Sequence, residues 1–529
     1  MPKPFPPNIE LDFENSDKNP AIQLFGKRFF IDQTPLELLI ELILVMTSPK
    51  KINEIPFDSF LPPISLLKNK WITPLKYAPR SRLNLKLFAF FGASKLDTRH
   101  ETHREHLMSL YRKLMEKISV SGDTQENVVH TLENLFLGFH GVGAQRTWCA
   151  QHFLPICREL IAGESIWKAS KALDINDWHD ALKYFSHNQY IFLARGGEVL
   201  YLQICNALRR DKKEIESWVR NNNLLEYFTS KEMDPEWLCN QLNKVFSNVY
   251  KQTPSTISRI AEFIDQEIDV ETSLKTDGSE DKRRWTNCSW CPEETWPESY
   301  LFAVELLRIC RANLDLMDRI ELLEIACVMQ VMRTLITQAQ RYCQKESDTF
   351  QPYYFVISDP EGKNKALKQI SRATIQKTSK TIYDGLRHPE IINNIPQDER
   401  NKLYNEADRR YGHKLFINLG KKIGLIIPRR GPGMRFVLTG TLIRFLIVAL
   451  CPEPRLTYDS FKKGAEVHFG MVFDEDSLNR ANCWAIQSTN ETYFNGTDEW
   501  LIKMIEEAGA LRRLSDSCAM VENLVINKR

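Results

Sequence analysis

Apolar residues recur along this chain mostly at three- and four-residue intervals, the spacing of a helix with one buried face. Thr34-Pro35-Leu36-Glu37 predicts a helix start, with Thr as cap, Pro at the first helical position and Glu three residues after the cap. The helix it opens, through Met46, is apolar around most of its circumference and is expected inside the body. Residues 47–80 are broken by Pro49, Pro56, Pro62, Pro63, Pro74 and Pro79 and read as short helices and loops wrapping the surface. From Leu83 the pattern predicts helices over about 83–92, 98–119, 123–139, 144–161, 176–186, 190–208, 212–227, 234–249 and 255–268. Asp123 or Thr124 caps one of them, and its Val128, Leu132, Leu135 and Phe136 share a face.

The pattern breaks over 269–296, where a polar run from Thr276 to Arg284 carries turn residues. Two strongly apolar helices follow, about 297–311 and 314–343, the second repeating Leu322, Ile325, Met329, Met332 and Ile336. Tyr353–Ile357 suits a short strand, and 363–386 a helix with Leu367, Ile370, Thr374 and Ile382 toward the core. Then His413–Ile423 reads as a helix, Gly424 as its left-handed end, and Leu425–Pro428 with Arg435–Leu438 as a hairpin closed by Arg429-Arg430-Gly431-Pro432-Gly433-Met434. Thr439 opens an apolar helix through Leu450. A weaker version of the pattern recurs: Thr457 caps a helix to about His468, Asp476 or Ser477 opens another, Thr497 caps a third, and 510–514 with 519–524 form a hairpin around Ser515-Asp516-Ser517.

Helix, glycine- and arginine-tipped hairpin, helix: on these residues the stretch 395–450 resembles the winged-helix superfamily, with a second copy at 455–525. The expected fold class is therefore mostly α, a large helical N-terminal body followed by tandem winged-helix-like α+β domains. The division expected is an extended or disordered tail at 1–20, a helical body at 21–268 and a linker at 269–296. A helical domain with a basic helix at 297–394 follows, then winged-helix-like domains at 395–454 and 455–529. The resemblance implies that the helix bearing Lys414, Asn418, Lys421 and Lys422 presents to a DNA groove. The hairpin tip, with Arg429, Arg430 and Arg435, would lie against adjacent phosphates.

Charge sharpens that expectation. The whole 529-residue chain has a net charge of only +2, yet from Arg409 to Pro452 there is no acidic residue. Arg409, Arg410, Lys414, Lys421, Lys422, Arg429, Arg430, Arg435 and Arg444 are uncompensated within that segment, a footprint suited to phosphate. The helix at 363–386 adds Lys363, Lys365, Lys368, Arg372, Lys377 and Lys380 with no acid from Gly362 through Tyr383. It reads either as a solvated face against an acidic partner or as a second phosphate-contacting element. In the second copy Glu499, Glu506 and Glu507 suit protein contacts rather than DNA.

The remaining composition, 43% apolar and 26% charged, is that of a folded globular chain. No apolar run approaches the ~18–20 residues of a membrane helix, and Met1–Pro7 lacks the apolar core of a signal peptide. The twelve cysteines are scattered, with Cys205, Cys310 and Cys327 inside apolar helices, which favours reduced thiols and a cytoplasmic setting.

Catalytic or metal chemistry has few footholds. His100, His103 and His106 sit three apart on a helix, but position 104 is Arg and the zinc-helix motif is not met. Cys288 and Cys291 have knuckle spacing without a second close pair. His140-Gly141-Val142-Gly143 lacks the Lys-Ser/Thr of a phosphate loop and reads as a helix–helix turn, as Gly196-Gly197 reads as a turn starting a helix. No cofactor motif is present. The expectation is thus a non-enzymatic DNA-binding scaffold subunit, with duplex DNA on the basic module and other protein subunits on the helical body. In layout it resembles accessory subunits of bacterial multi-gene anti-phage defence systems. Two alternatives stand beside it: a nuclease or other hydrolase built from the 100–106 histidines or a cysteine near 149, and an assembly adaptor whose wings bind only protein.

Overall fold

The computed structural model describes the chain except residues 1, 8, 10, 13–16, 70, 72, 95–98, 144, 169–174, 187–194, 252–254, 267–284, 344–352, 393–396, 475–476, 479–497, 516–517 and 527–529. Helix α1 (Pro35–Thr47) begins with a full capping box: Thr34 Oγ1 accepts from the Glu37 amide, and the Glu37 carboxylate accepts from the Thr34 amide. Strands β1 (Lys50–Ile52), β2 (Ile55–Phe57) and β3 (Lys76–Tyr77) follow, then helices α2 (Leu83–Phe90), α3 (Glu101–Lys117) and α4 (Gln125–Gly138). Helices α5 (Gly196–Leu208), α6 (Lys212–Asn221), α7 (Pro235–Lys251) and α8 (Ser255–Gln266) complete the amino-terminal half. After β4 (Thr286–Asn287) come α9 (Trp296–Arg311) and the 28-residue α10 (Leu316–Cys343).

The carboxy-terminal part reads β5 (Phe355–Val356), α11 (Lys365–Gly385), α12 (Arg400–Arg410), α13 (His413–Lys422), β6 (Ile426–Ile427), β7 (Arg435–Phe436) and α14 (Gly440–Leu450). It ends with β8 (Arg455–Thr457), α15 (Tyr458–Phe469), β9 (Met471–Val472), α16 (Glu499–Glu507), β10 (Leu511–Ser515) and β11 (Cys518–Glu522). The protein is mostly helical, with small sheets. The last sheet is antiparallel in the order β8-β11-β10.

Four helices, α1, α5, α9 and α10, form the centre and carry buried residues around nearly their whole circumference. The approach of α5 to α1 is close enough to require glycine. A Cβ on Gly197 would lie 2.4 Å from both the Glu41 Cβ and the Leu38 carbonyl oxygen. The Gly197 amide donates to the Glu41 carboxylate at 2.9 Å.

Polar groups inside this centre are joined. Glu305 on α9 and Arg333 on α10 are fully buried and 2.6 Å apart, and His468 Nε2 on α15 meets the same Glu305 oxygen at 2.8 Å. Burial alone would raise the Glu305 carboxyl, but Arg333 and His468 outweigh it and hold it below its ordinary value. Arg308, one turn beyond Glu305, makes a two-pronged bond to Glu232 at 2.9 Å through Nε and Nη2 and also donates to the Ala449 and Tyr227 carbonyls. These bonds tie the amino-terminal half, α9, α10, α14 and α15 into one interior.

Several expectations are corrected. The expected boundary at 269–296 does not divide the core: one continuous apolar cluster runs from Phe5 through α5, α10 and α13 to Val521. The polar run of that linker lies outside the described residues. The supposed tail contributes a strand, Pro4–Phe5, paired with Cys291–Pro292, and Phe5 is buried against Trp71. The stretch 47–80 holds a short helix, Ile64–Lys68, as expected, but also strands β1–β3, which pair with β4 in the order β2-β1-β3-β4, because two- and three-residue strands between prolines leave no periodic signal. In place of the helix expected over 144–161 the chain makes 3₁₀ turns at Trp148–Ala150 and Arg158–Leu160, and His140–Val142 pairs with His152–Phe153 where a helix–helix turn was expected. Pro155 falls within that span, where it would remove a helix hydrogen bond. The expected Tyr353–Ile357 strand is present as β5 and finds a distant parallel partner, β9.

Removing one member of the buried Glu305–Arg333 pair strands the other charge. Glu305→Ala should therefore lower unfolding stability by about 3–5 kcal/mol in chemical denaturation. The double replacement Glu305→Leu/Arg333→Met should recover most of that loss, and a single-variant loss below about 1 kcal/mol would contradict the assignment. A pH test is independent. Burial lowers His468 from 6.5 to about 4, so the unfolded chain takes up the proton first and stability is lost as pH falls from 6.5 toward 4. Glu324, pushed up by burial to about 7, acts in the opposite sense, so the quantity to read is a difference. Relative to wild type, His468→Gln should be less destabilised between pH 7 and 4.5, as measured by urea midpoints.

Candidate nucleic-acid interface

Helix α11 is amphipathic for a simple reason: Leu367, Ile370, Ile375 and Ile382 recur at helical spacing and are buried. Asn364 caps it, its side-chain oxygen accepting from the Leu367 amide at 3.0 Å. At its far end Gly385 lies on α10, where an added Cβ would meet the Ala339 Cβ at 2.9 Å. The opposite side carries the cations. Lys365, Lys377 and Lys380 are exposed, and Lys368 and Arg372 are half-buried.

The hairpin packs beside this helix, with Ile426 opposite Phe436 and Ile427 opposite Arg435. Two serines fasten it: the Phe436 amide donates to Ser371 Oγ at 2.8 Å, and Ser358 Oγ donates to the Phe436 carbonyl at 2.9 Å. Neither serine was singled out from sequence. A hydroxyl on the apolar stripe of α11, in register with Leu367 and Ile375, was the available signal. Gly431 and Gly433 in the tip take positive φ angles of 93° and 83°, which side-chain-bearing residues rarely adopt.

The two basic elements, separated in sequence by residues 386–425, meet at this junction. The Arg372 guanidinium lies on Gly433, its Nη2 2.7 Å from where a Cβ would stand. Arg435 Nη2 donates to the Pro360 carbonyl at 2.9 Å and borders Gly362, as does Lys368 Nζ. Arg429 and Arg430 are exposed on the other arm of the same tip. No ion pair to Lys368, Arg372, Lys377, Arg429, Arg430 or Arg435 occurs among the described residues. Arg444, by contrast, is neutralised by Asp318 at 2.6 Å, and Arg410 faces Glu406 at 3.4 Å.

Helix α13 does not present as the helix-in-groove expectation has it. The amide of Asn418 donates to the Ile31 carbonyl at 2.7 Å, and Lys422 Nζ to the Gln33 carbonyl at 2.6 Å. Ile31 in turn donates its amide to the Arg410 carbonyl at 2.9 Å, and Phe30 packs on Tyr411. Burial lowers Lys422, with Glu37 opposing. The segment 28–33 of the amino-terminal body thus lies along this helix, a contact that nothing local in either stretch announces. Arg409 and Lys414 remain exposed, and Lys421 is half-buried.

The other candidates are packed rather than poised. His103 is fully buried among Trp148, Trp167, Trp178 and Phe185. His106 stacks on Trp178 with ring centres 4.3 Å apart, and burial lowers it to about 4. His100 caps α3, its side chain accepting from the Thr102 amide. Cys149, Cys288 and Cys291 are buried with thiols pushed up by burial, the opposite of an activated nucleophile. No group of three or more His, Cys, Asp or Glu placed to hold a metal occurs among the described residues.

In the last unit Arg513 pairs with Glu506 at 2.6 Å and Arg455 with Glu522 at 2.9 Å, so these two cations are compensated. The centre of the expected hairpin tip, Asp516 and Ser517, lies outside the described residues. Among the described residues no helix is long and apolar enough to cross a membrane. Neither a protein-family model, a curated protein nor a solved structure matches this chain.

Asn418 therefore distinguishes a structural from a recognition role. Asn418→Ala should cost about 0.5–1.5 kcal/mol of stability through the lost bond to Ile31. It should leave duplex affinity within about twofold, well under one good base contact. A base-dependent loss of affinity in gel shifts would restore the groove mode.

Proposed function

We propose that this protein is a non-enzymatic DNA-binding subunit of a multi-protein assembly, holding duplex phosphates on the face formed by α11 and the β6–β7 hairpin. The observation that carries the reading is the convergence of uncompensated cations from two separate elements in a nearly neutral chain. A winged-helix reading of both carboxy-terminal units supports it. Apart from the short strand β9 between α15 and α16, elements α14, β8, α15, α16, β10 and β11 follow a helix–strand–helix–helix–strand–strand order with the last strand central. Elements α10, β5, α11, α13, β6 and β7 repeat the order, with the short helix Pro389–Ile392 and α12 inserted ahead of α13 and the Ile357–Phe436 bridge running parallel. In this mode the wing and the helix beside it make the contacts, while α13 docks on the body.

A second reading is favoured by the covering of α13 and the two compensated cations of the last unit: an adaptor that binds only protein. One measurement separates the two. Arg429→Ala/Arg430→Ala/Lys377→Ala should weaken duplex binding across sequences and reduce the slope of log K against log salt by about 0.9 per lost phosphate contact. An unchanged slope, or no duplex binding by wild type, would favour the adaptor.

A further inference from the structure

We infer that Lys368, Arg372 and Arg435 form a clamp for a single phosphate oxyanion at the root of the hairpin. The inference rests on the duplex-binding reading only for the source of that phosphate, since the clamp's chemistry would serve a free phosphate equally. Lys368 and Arg372 stand one helical turn apart on α11 and so share a face. Gly362 and Gly433 remove the side chains that would otherwise stand between these cations and the backbone. A Cβ on Gly362 would lie 3.1 Å from Arg435 Nη2 and 3.4 Å from Lys368 Nζ, and one on Gly433 2.7 Å from Arg372 Nη2.

The hydrogen-bond inventory points the same way. Nε of Arg372 and Nε of Arg435 are buried without an acceptor among the described residues. A buried donor left unmade costs about 1–3 kcal/mol, more when charged, so two together call for an acceptor. The acids nearby are committed. The Asp359 carboxylate accepts from the Lys363 and Asn364 amides at 3.0 and 3.2 Å, and Glu361 pairs with Lys363. A tetrahedral oxyanion offers several acceptors at once and suits guanidinium forks better than one carbonyl does.

The test uses the full chain and inorganic phosphate as probe. Calorimetric titration in chloride buffer at matched ionic strength should give saturable one-to-one binding. Arg372→Gln and Lys368→Gln should each weaken it on the order of tenfold, and Lys213→Gln, exposed on α6, should not. Melting in chloride alone checks that each variant folds, and Lys368→Gln carries the test should Arg372→Gln fail to fold. A response that follows ionic strength only, or one that both variants retain, overturns the clamp. A 5′-hydroxyl duplex added in competition identifies the source: displacement of phosphate assigns the site to the DNA backbone, and independent binding assigns it to a free phosphate. Phosphate binding without duplex binding removes the DNA reading and keeps the clamp, whereas duplex binding without phosphate binding does the reverse.

Discussion

The Glu305 carboxylate is the point on which the architecture turns. It sits where α9, α10 and α15 converge, fully out of water, and one of its oxygens serves both Arg333 and His468. A charge in such a place is tolerated only with its partners fixed, so the three elements have little freedom to slide or rotate past one another. An apolar triad of the same volume could be as stable but would set the register less strictly. Arg308 repeats the arrangement one turn away, reaching Glu232 and the carbonyl of Ala449. Register set on these charged groups carries outward to α10, and α10 is the surface on which α11 and α13 are laid.

Local signals in the chain proved readable where structure depends on a few neighbouring residues. Thr34, Thr124, Thr439 and Thr457 cap the helices assigned to them, and Gly424 takes the left-handed angle that ends α13 near the residue expected. The hairpin, the apolar stripe of α11 and the exposure of Arg429 and Arg430 were also legible. Long-range pairing was not. Phe355 with Met471, Pro4 with Pro292 and Thr286 with Tyr77 are short ladders between remote segments, and a two-residue strand carries almost no alternation to detect.

The candidate site shows the same limit in a sharper form. Counting charges along the chain located two basic stretches, but a count does not say which side chains reach water. Asn418 lies in the middle and Lys422 at the end of the expected reading helix, and both are spent on the carbonyls of Ile31 and Gln33. Lys368 and Arg435 come together over Gly362, and Arg372 lies on Gly433, glycines whose contribution is an absence of atoms. Polarity patterns record what a residue is, whereas these features depend on what stands opposite it.

The main apolar interior, running from Phe5 to Val521, takes in Ile375 and Ile382 of α11 and Phe436 of the hairpin, while Leu367 and Ile370 pack with Val356 and Val472 in a small cluster beside it. The amino-terminal half and the hairpin share that packed interior, so side-chain packing rather than a linker sets the bearing of the basic face relative to the amino-terminal half.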